Sequence, residues 1–209
     1  MSKAFDSIGM TPLRFALRRI KLPDTAINFI INLFQYRKMK IITNFGLSEE
    51  LSAADGIDQG EVISPLIWRI FYDPLLCRIM DDPQLGYTMS VKWPTDLHGN
   101  YRNISERIAA LAFFDDTAWL AGSRSSLQQT INISNGFFKL NDIDINGDKS
   151  EVLKVKSSRQ QSTDDPNTEQ QQSDVIVMGT NNNVITPATN NRLIRYLGVW
   201  FSAKLSLRH

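Results

Sequence analysis

Residues 108–121 read IAALAFFDDTAWLA, and the fold of the chain turns on what that stretch becomes. Residues 108–114 are a nearly unbroken apolar run, Asp115 and Asp116 follow, and residues 117–121 are apolar again. Short apolar runs bounded by a polar break suit buried strands, so the pattern predicts two short strands joined by an acidic tip. Two adjacent carboxylates between apolar strands repel each other and are costly to desolvate. A hard divalent cation such as Mg²⁺ offsets both effects, accepting carboxylate oxygens while leaving positions for phosphate oxygens and water. An exposed turn, where Asp bonds nearby backbone, accommodates the same residues without a metal. On this stretch alone the turn is the simpler reading.

C-terminal to the acidic stretch, Ser125 or Ser126 caps a helix with Leu127, Ile131, Ser134 and Phe138 on one face, ending near Asn141. Residues 151–155 return as a strand, and short strands follow at 175–178 and 196–201. Residues 157–174, rich in Ser, Gln, Thr and Asp, lack the apolar content to fold and read as a disordered insertion. On the N-terminal side, Leu13, Ala16, Leu17 and Ile20 repeat at helical spacing over residues 11–22, with Arg14, Arg18 and Lys21 on another face. After Pro23 a second helix carries Ile27, Ile30, Ile31 and Phe34, with Asp24 or Thr25 as its N-cap. Residues 40–45 are rich in β-branched side chains and predict a strand. The glycine-bounded loop 56–60 precedes a helix opened by Ser64 as a capping hydroxyl and Pro65, kinked or restarted at Asp73-Pro74. Residues 86–107 are polar and read as a long loop or a short irregular hairpin.

The length of 209 residues suits one domain with appendages, and 42% hydrophobic with 22% charged residues is ordinary for a globular chain. Cys77 is the only cysteine, so no internal disulfide forms, and Cys77, His98 and His209 have no zinc-ligand spacing. Charges break every apolar stretch well before 18 residues, which predicts no membrane span. The net charge of +1 hides an asymmetry: residues 1–45 carry eight Lys/Arg against two Asp, and residues 46–100 carry three against nine acids. Such a division suits nucleic acid on one side and divalent metal on another, or simply two solvated faces.

Five segments, in order, then narrow the reading. Lys3-Ala4-Phe5-Asp6, Gly56-Ile57-Asp58-Gln59-Gly60 with Ser64-Pro65-Leu66, Phe113-Phe114-Asp115-Asp116, Leu140-Asn141-Asp142-Ile143-Asp144-Ile145-Asn146 with Lys149-Ser150, and Tyr196-Leu197-Gly198 lie along almost the whole chain. In this order they resemble motifs A to E of reverse transcriptases (RNA-directed DNA polymerases) of the non-LTR retrotransposon type. The resemblance implies an α+β palm with a small antiparallel sheet packed on helices, with fingers and thumb largely missing. Its implied divisions are a core at 1–156 holding motifs A to D, the insertion at 157–174, and a palm end with the motif E hairpin at 175–209.

The same resemblance implies a two-metal nucleotidyl transfer using two Mg²⁺ ions, an RNA template, a DNA primer and deoxynucleoside triphosphates. It makes Asp115 the principal motif C metal ligand and Asp116 its partner. Phe5 would lie under the incoming sugar, Gln59 and Gly60 against the nucleotide, and Leu197 and Gly198 in the hairpin gripping the primer. Lys149 would protonate or stabilise the departing pyrophosphate. Taken singly, the same residues also suit a core aromatic, a turn before a helix, an edge strand and a solvated lysine.

Two departures from the family pattern carry expectations. The motif A aspartate stands three residues before the lysine, one position upstream of Met1, so the chain is expected not to polymerise alone. Phe114 occupies a place where the family has Ala, Val or Met, and its bulk would crowd the primer end. The alternative to an active polymerase domain is a non-catalytic retroelement relic that at most binds nucleic acid. Nucleotide cyclases share the acidic hairpin but do not account for the Gln59-Gly60/Ser64-Pro65 and Tyr196-Leu197-Gly198 segments.

Overall fold

The computed structural model describes residues 4–53, 55–96, 100–155, 175–179, 182–188 and 192–203. The expected insertion at 157–174 lies outside the described residues. Helix α1 (Met10–Arg19) buries Met10, Leu13, Ala16 and Leu17, and α2 (Asp24–Phe34) buries Ile27, Ile31 and Phe34, on the stripes their spacing predicts except that Ile20 caps α1 and is 43% exposed and Ile30 is half-buried. The N-cap of α2 is Pro23 rather than Asp24 or Thr25, because Asp24 is already helical. Helix α1 packs against both α2 and α3 (Ser64–Met80), and its Arg19 guanidinium reaches Asp73 Oδ2 at 2.5 Å and Cys77 Sγ at 3.2 Å on α3.

Helix α3 is apolar almost all round and is the centre of the core: Ile67, Trp68, Phe71, Tyr72, Leu75 and Ile79 are all at most 2% exposed. Each buried aliphatic side chain of this kind contributes about 1.5–3 kcal/mol. The helix continues through Pro74, so the expected restart at Asp73-Pro74 does not occur. The bond lost to the carbonyl four residues earlier is offset by burial on both sides of the proline. Pro65 lies in the first turn as expected, but Ser64 is inside the helix, Ile63 is its cap, and the buried Ser64 hydroxyl has no partner. Helix α4 (Arg124–Leu140) buries Thr130, Ile131, Ser134 and Phe138 and ends at Asn141. Its cap is Ser123, whose Oγ accepts the Ser126 N–H at 3.2 Å, because Ser125 and Ser126 are already in the helix.

The helices and antiparallel pairing expected of an α+β chain are present, with the pairing among the described residues spread over six two-stranded ladders instead of one small sheet. The strand expected at 40–45 is replaced by a nested pair of short ladders: β1 (Arg37–Met39) with β4 (Leu51–Ala53), enclosing β2 (Ile42–Thr43) with β3 (Gly46–Leu47). Residues 44 and 45 form the inner turn, where Thr43 Oγ1 accepts from the Phe45 N–H and donates to the Gly46 carbonyl, so one continuous strand is excluded.

Residues 86–107, expected to be irregular, form a regular hairpin of eight cross-strand pairs between β5 (Tyr87–Pro94) and β6 (Tyr101–Ile108). Tyr87, Met89, Val91 and Trp93 alternate along one face, and nearly all of the hairpin is exposed. Its base is fixed by Arg107, which donates to the carbonyls of Met80, Asp82 and Leu85 at and just past the C-terminal end of α3, where a cation meets the negative helix end.

Strands β7 (Ala110–Phe113) and β8 (Asp116–Trp119) follow directly. The strand expected at 151–155 is only an isolated parallel bridge from Val152 to Pro187, with the Ala188 N–H donating to the Val152 carbonyl at 2.7 Å. Strands β9 (Ile176–Met178) and β10 (Asn183–Ile185) lie on α4, where the Gln128 amide bonds both the N–H and the carbonyl of Val177 at 2.9 Å. The strand expected at 196–201 is a hairpin of β11 (Leu193–Tyr196) and β12 (Val199–Ser202), folded at Leu197-Gly198.

Candidate active site at the acidic hairpin

Strands β7 and β8 pair from Ala110↔Trp119 to Phe113↔Asp116, leaving Phe114 and Asp115 as a two-residue turn. The tip is therefore one residue earlier than expected, with Asp116 the first residue of β8. Phe114 takes φ +52°. Positive φ at a hairpin's first turn residue matches the twist of the flanking strands, but a bulky side chain there is strained by about 1–3 kcal/mol. The Trp68 indole N–H donates to the Phe114 carbonyl at 2.8 Å, and the Phe113 and Phe114 rings meet edge-on at 4.6 Å. The strained residue is thus tied to the most buried helix.

Asp115 is half-buried and Asp116 exposed, and neither carboxylate has a hydrogen bond or ion pair among the described residues. The Tyr196 hydroxyl donates to the Leu111 carbonyl at 3.0 Å and lies 3.4 Å from the Asp116 carbonyl. Burial, and then the negative charge of Asp116, hold that hydroxyl's pKa above the usual tyrosine value. Adjacent hard oxygen donors with no cationic neighbour fit part of a divalent-cation ligand set. Among the described residues no group of three or more His, Cys, Asp or Glu side chains gathers to complete it.

Trp68 also organises the segments around the turn. Its ring stacks at 5.5 Å on Tyr72 and lies 5.5 Å from Phe5, which is half-buried against the core. The Phe5 carbonyl accepts the Ile57 N–H, and the Ile8 carbonyl accepts the Gly56 N–H, both at 2.9 Å, so the N-terminal segment is bonded to the loop that precedes α3. Gly56 has φ +87°, and a β-carbon there would meet the Asp6 backbone at 2.9 Å. Arg37 secures the same loop, donating to the Gly56 carbonyl at 3.0 Å and pairing with Asp58. Gln59 and Gly60 project at its exposed end, with Gly60 at φ +104° and nothing within 4 Å of a β-carbon position. Within the chain, Gly60 answers a backbone conformation and no close neighbour. Between α3 and the hairpin lies a cleft of about 220 Å³ lined by Pro65, Trp68, Arg69, Tyr72 and residues 112–114.

Phe5, the Gln59 loop and the acidic turn are therefore joined through Trp68, whereas Lys149 is not joined to them. It is exposed at the end of a 3-10 turn, Gly147–Lys149, and its ammonium has no partner among the described residues. Leu197 and Gly198 form the exposed β11–β12 turn at φ +48° and +83°, connected to the acidic hairpin through the neighbouring Tyr196.

The model of the family described as reverse transcriptase (RNA-dependent DNA polymerase) matches residues 1–201. The chain belongs to the reverse transcriptase family. It is 26% identical over 201 residues to a retrovirus-related Pol polyprotein from a type-1 retrotransposable element R2 of Popillia japonica, covering 95% of this chain and 25% of the relative. A Pol polyprotein of the same type from Nasonia vitripennis is 30% identical over 132 residues, covering 63% of this chain and 11% of the relative. One from the type-2 element R2DM of Drosophila melanogaster is 24% identical over 161 residues, covering 77% and 14%. This reverse transcriptase chain thus spans a quarter or less of the length of these relatives. Sequence reasoning did not single out Trp68, Arg37 or the Tyr196 hydroxyl. A buried tryptophan does signal a need for an N–H acceptor, but the acceptor is a backbone carbonyl 46 residues away.

Proposed function

We propose that this chain forms the palm of an RNA-directed DNA polymerase, with Asp115 and Asp116 as ligands of Mg²⁺. The observation that carries the reading is the acidic turn with two unpartnered carboxylates, bonded to Trp68, which also packs Phe5 and lies on the helix entered from Gln59-Gly60. When bound, paired Mg²⁺ ions supply activation of a primer 3′-hydroxyl and charge stabilisation of the leaving pyrophosphate.

The chain's own residues then divide the work. Asp115 and Asp116 hold the cations, and Phe5 lies beneath the incoming deoxyribose and excludes a 2′-hydroxyl by sterics. Gln59 bonds the nucleotide while the open space over Gly60 admits it. Lys149 donates a proton to the departing pyrophosphate or neutralises it, and Leu197-Gly198 grip the primer strand. The substrates are an RNA template, a DNA primer and deoxynucleoside triphosphates. In this reading residues 1–156 and 175–209 make the polymerase unit and residues 157–174 an insertion.

No group of three or more metal-ligating side chains gathers among the described residues, and the motif A pattern, with an acid three residues before the lysine, supplies the third ligand in this reading. Primer extension on an RNA template with Mg²⁺ tests this, comparing the 209-residue chain, a polypeptide extended upstream to include that acid, and its Asp115→Asn variant. The extended polypeptide should incorporate nucleotides, the substitution should lower the rate by about 10³-fold or more, and the short chain should do little. No extension by the longer polypeptide, with nucleic acid still bound in a gel-shift assay, favours the non-catalytic relic. Robust extension by the short chain removes the need for the third acid.

A further inference from the structure

We propose that Trp68 and Tyr196 are positioning residues that hold the acidic turn from two separate elements and so fix how Asp115 and Asp116 are presented. The inference rests on the metal-binding reading of those carboxylates, and its own support is geometric. Among the described residues the β7–β8 ladder pairs with no third strand, so the cross-strand bonds seen there do not anchor the turn to the rest of the fold. Phe114, at its first position, is in a left-handed conformation that a bulky residue leaves readily unless held.

Two aromatic donors supply the hold. The Trp68 N–H bonds the Phe114 carbonyl at 2.8 Å, directly before Asp115, and Trp68 itself is 1% exposed among Phe5, Phe71 and Tyr72. The Tyr196 hydroxyl bonds the Leu111 carbonyl at 3.0 Å and reaches the Asp116 carbonyl at 3.4 Å, bridging the two strands. The peptide units before Asp115 and after Asp116 are therefore both engaged from outside the hairpin. Mg²⁺ accepts only near-octahedral oxygens at about 2.0–2.1 Å, so a turn free to rock would present its carboxylates poorly.

The test uses the full chain with Trp68→Phe and Tyr196→Phe, which keep a ring and remove the donor, alongside Asp115→Asn and the exposed-site control Trp93→Phe. Amide hydrogen exchange is read at residues 113–117 and along α4, and free Mn²⁺ is followed by electron paramagnetic resonance during titration of the same variants in the polypeptide extended upstream to include the third acid. Each donor variant should speed exchange at the turn by about 10-fold or more with α4 unchanged, and weaken Mn²⁺ binding several-fold. Trp93→Phe should match the wild type in both. Unchanged exchange at the turn in both donor variants overturns the proposal. So does equal acceleration along α4, which would make the two residues general core supports. Should Trp68→Phe fail to fold, Tyr196→Phe decides, because Tyr196 lies outside the main core cluster. If the upstream-extended polypeptide with the wild-type residues binds no Mn²⁺, the metal reading fails separately, and exchange still decides whether the donors hold the turn.

Discussion

Gly56 and Tyr72 show how single residues couple the site to the core. A β-carbon at Gly56 meets the Asp6 backbone at 2.9 Å in a conformation at φ +87°, so neither side-chain rotation nor a small shift relieves it. Gly56→Ala is expected to cost about 2 kcal/mol or more, read as a lower urea midpoint, because left-handed backbone alone costs about 1–2 kcal/mol. Tyr72 is 1% exposed, and burial raises its hydroxyl pKa above the ordinary 10.0, opposed by its bond to Thr117 Oγ1. Above pH 10.0 the unfolded chain loses this proton while the folded chain keeps it, so the associated stability is present below that pH and is lost as pH rises past it. Denaturation midpoints of the wild type should fall between about pH 9 and pH 11, and Tyr72→Phe should flatten that fall. The acidic turn between β7 and β8 was legible at this scale because charge between apolar runs is a local signal. Trp68 and Tyr196 were not, because their acceptors are backbone carbonyls 46 to 85 residues away.

Among the elements, helices were readable and strand limits were not. A helix reports its buried face through its own spacing, as Leu13, Ala16 and Leu17 do in α1. Strands of two or three residues such as β2 and β3, with Ile42 85% and Leu47 66% exposed, carry no such record. The β5–β6 hairpin did carry one, the alternation of Tyr87, Met89, Val91 and Trp93, but its polar partner strand masked it. The same pair of elements gives a direct prediction. Arg107 bonds three carbonyls at and just past the C-terminal end of α3, so Arg107→Ala should destabilise the chain by about 1–2 kcal/mol, measured by urea unfolding. The effect should persist in salt better than that of an exposed ion pair, because the acceptors are neutral carbonyls.

For the molecule as a whole, the family was legible from the order of five segments and is borne out by the match over residues 1–201. The gathering of Phe5, the Gln59 loop and the acidic turn through one indole was not, because it depends on how α3 crosses the hairpin. The protruding β5–β6 arm contributes little to the core, since its side chains are almost all exposed. Replacing residues 89–106 by a two-residue turn, with Arg107 kept, should leave the unfolding free energy within about 1 kcal/mol of the parent. A larger loss would place this arm among the stabilising elements.

Among the described residues the exposed β5–β6 ladder has only two members, which leaves its outer flanks without a strand partner there. Charged side chains and bulges commonly guard such flanks in soluble proteins, whereas here Val91, Trp93 and Ile104 stand on solvent-facing strands. Purified alone, the polypeptide should therefore gather into β-rich assemblies as its concentration rises, visible as thioflavin fluorescence and growing light scattering. Trimming the arm should delay their onset.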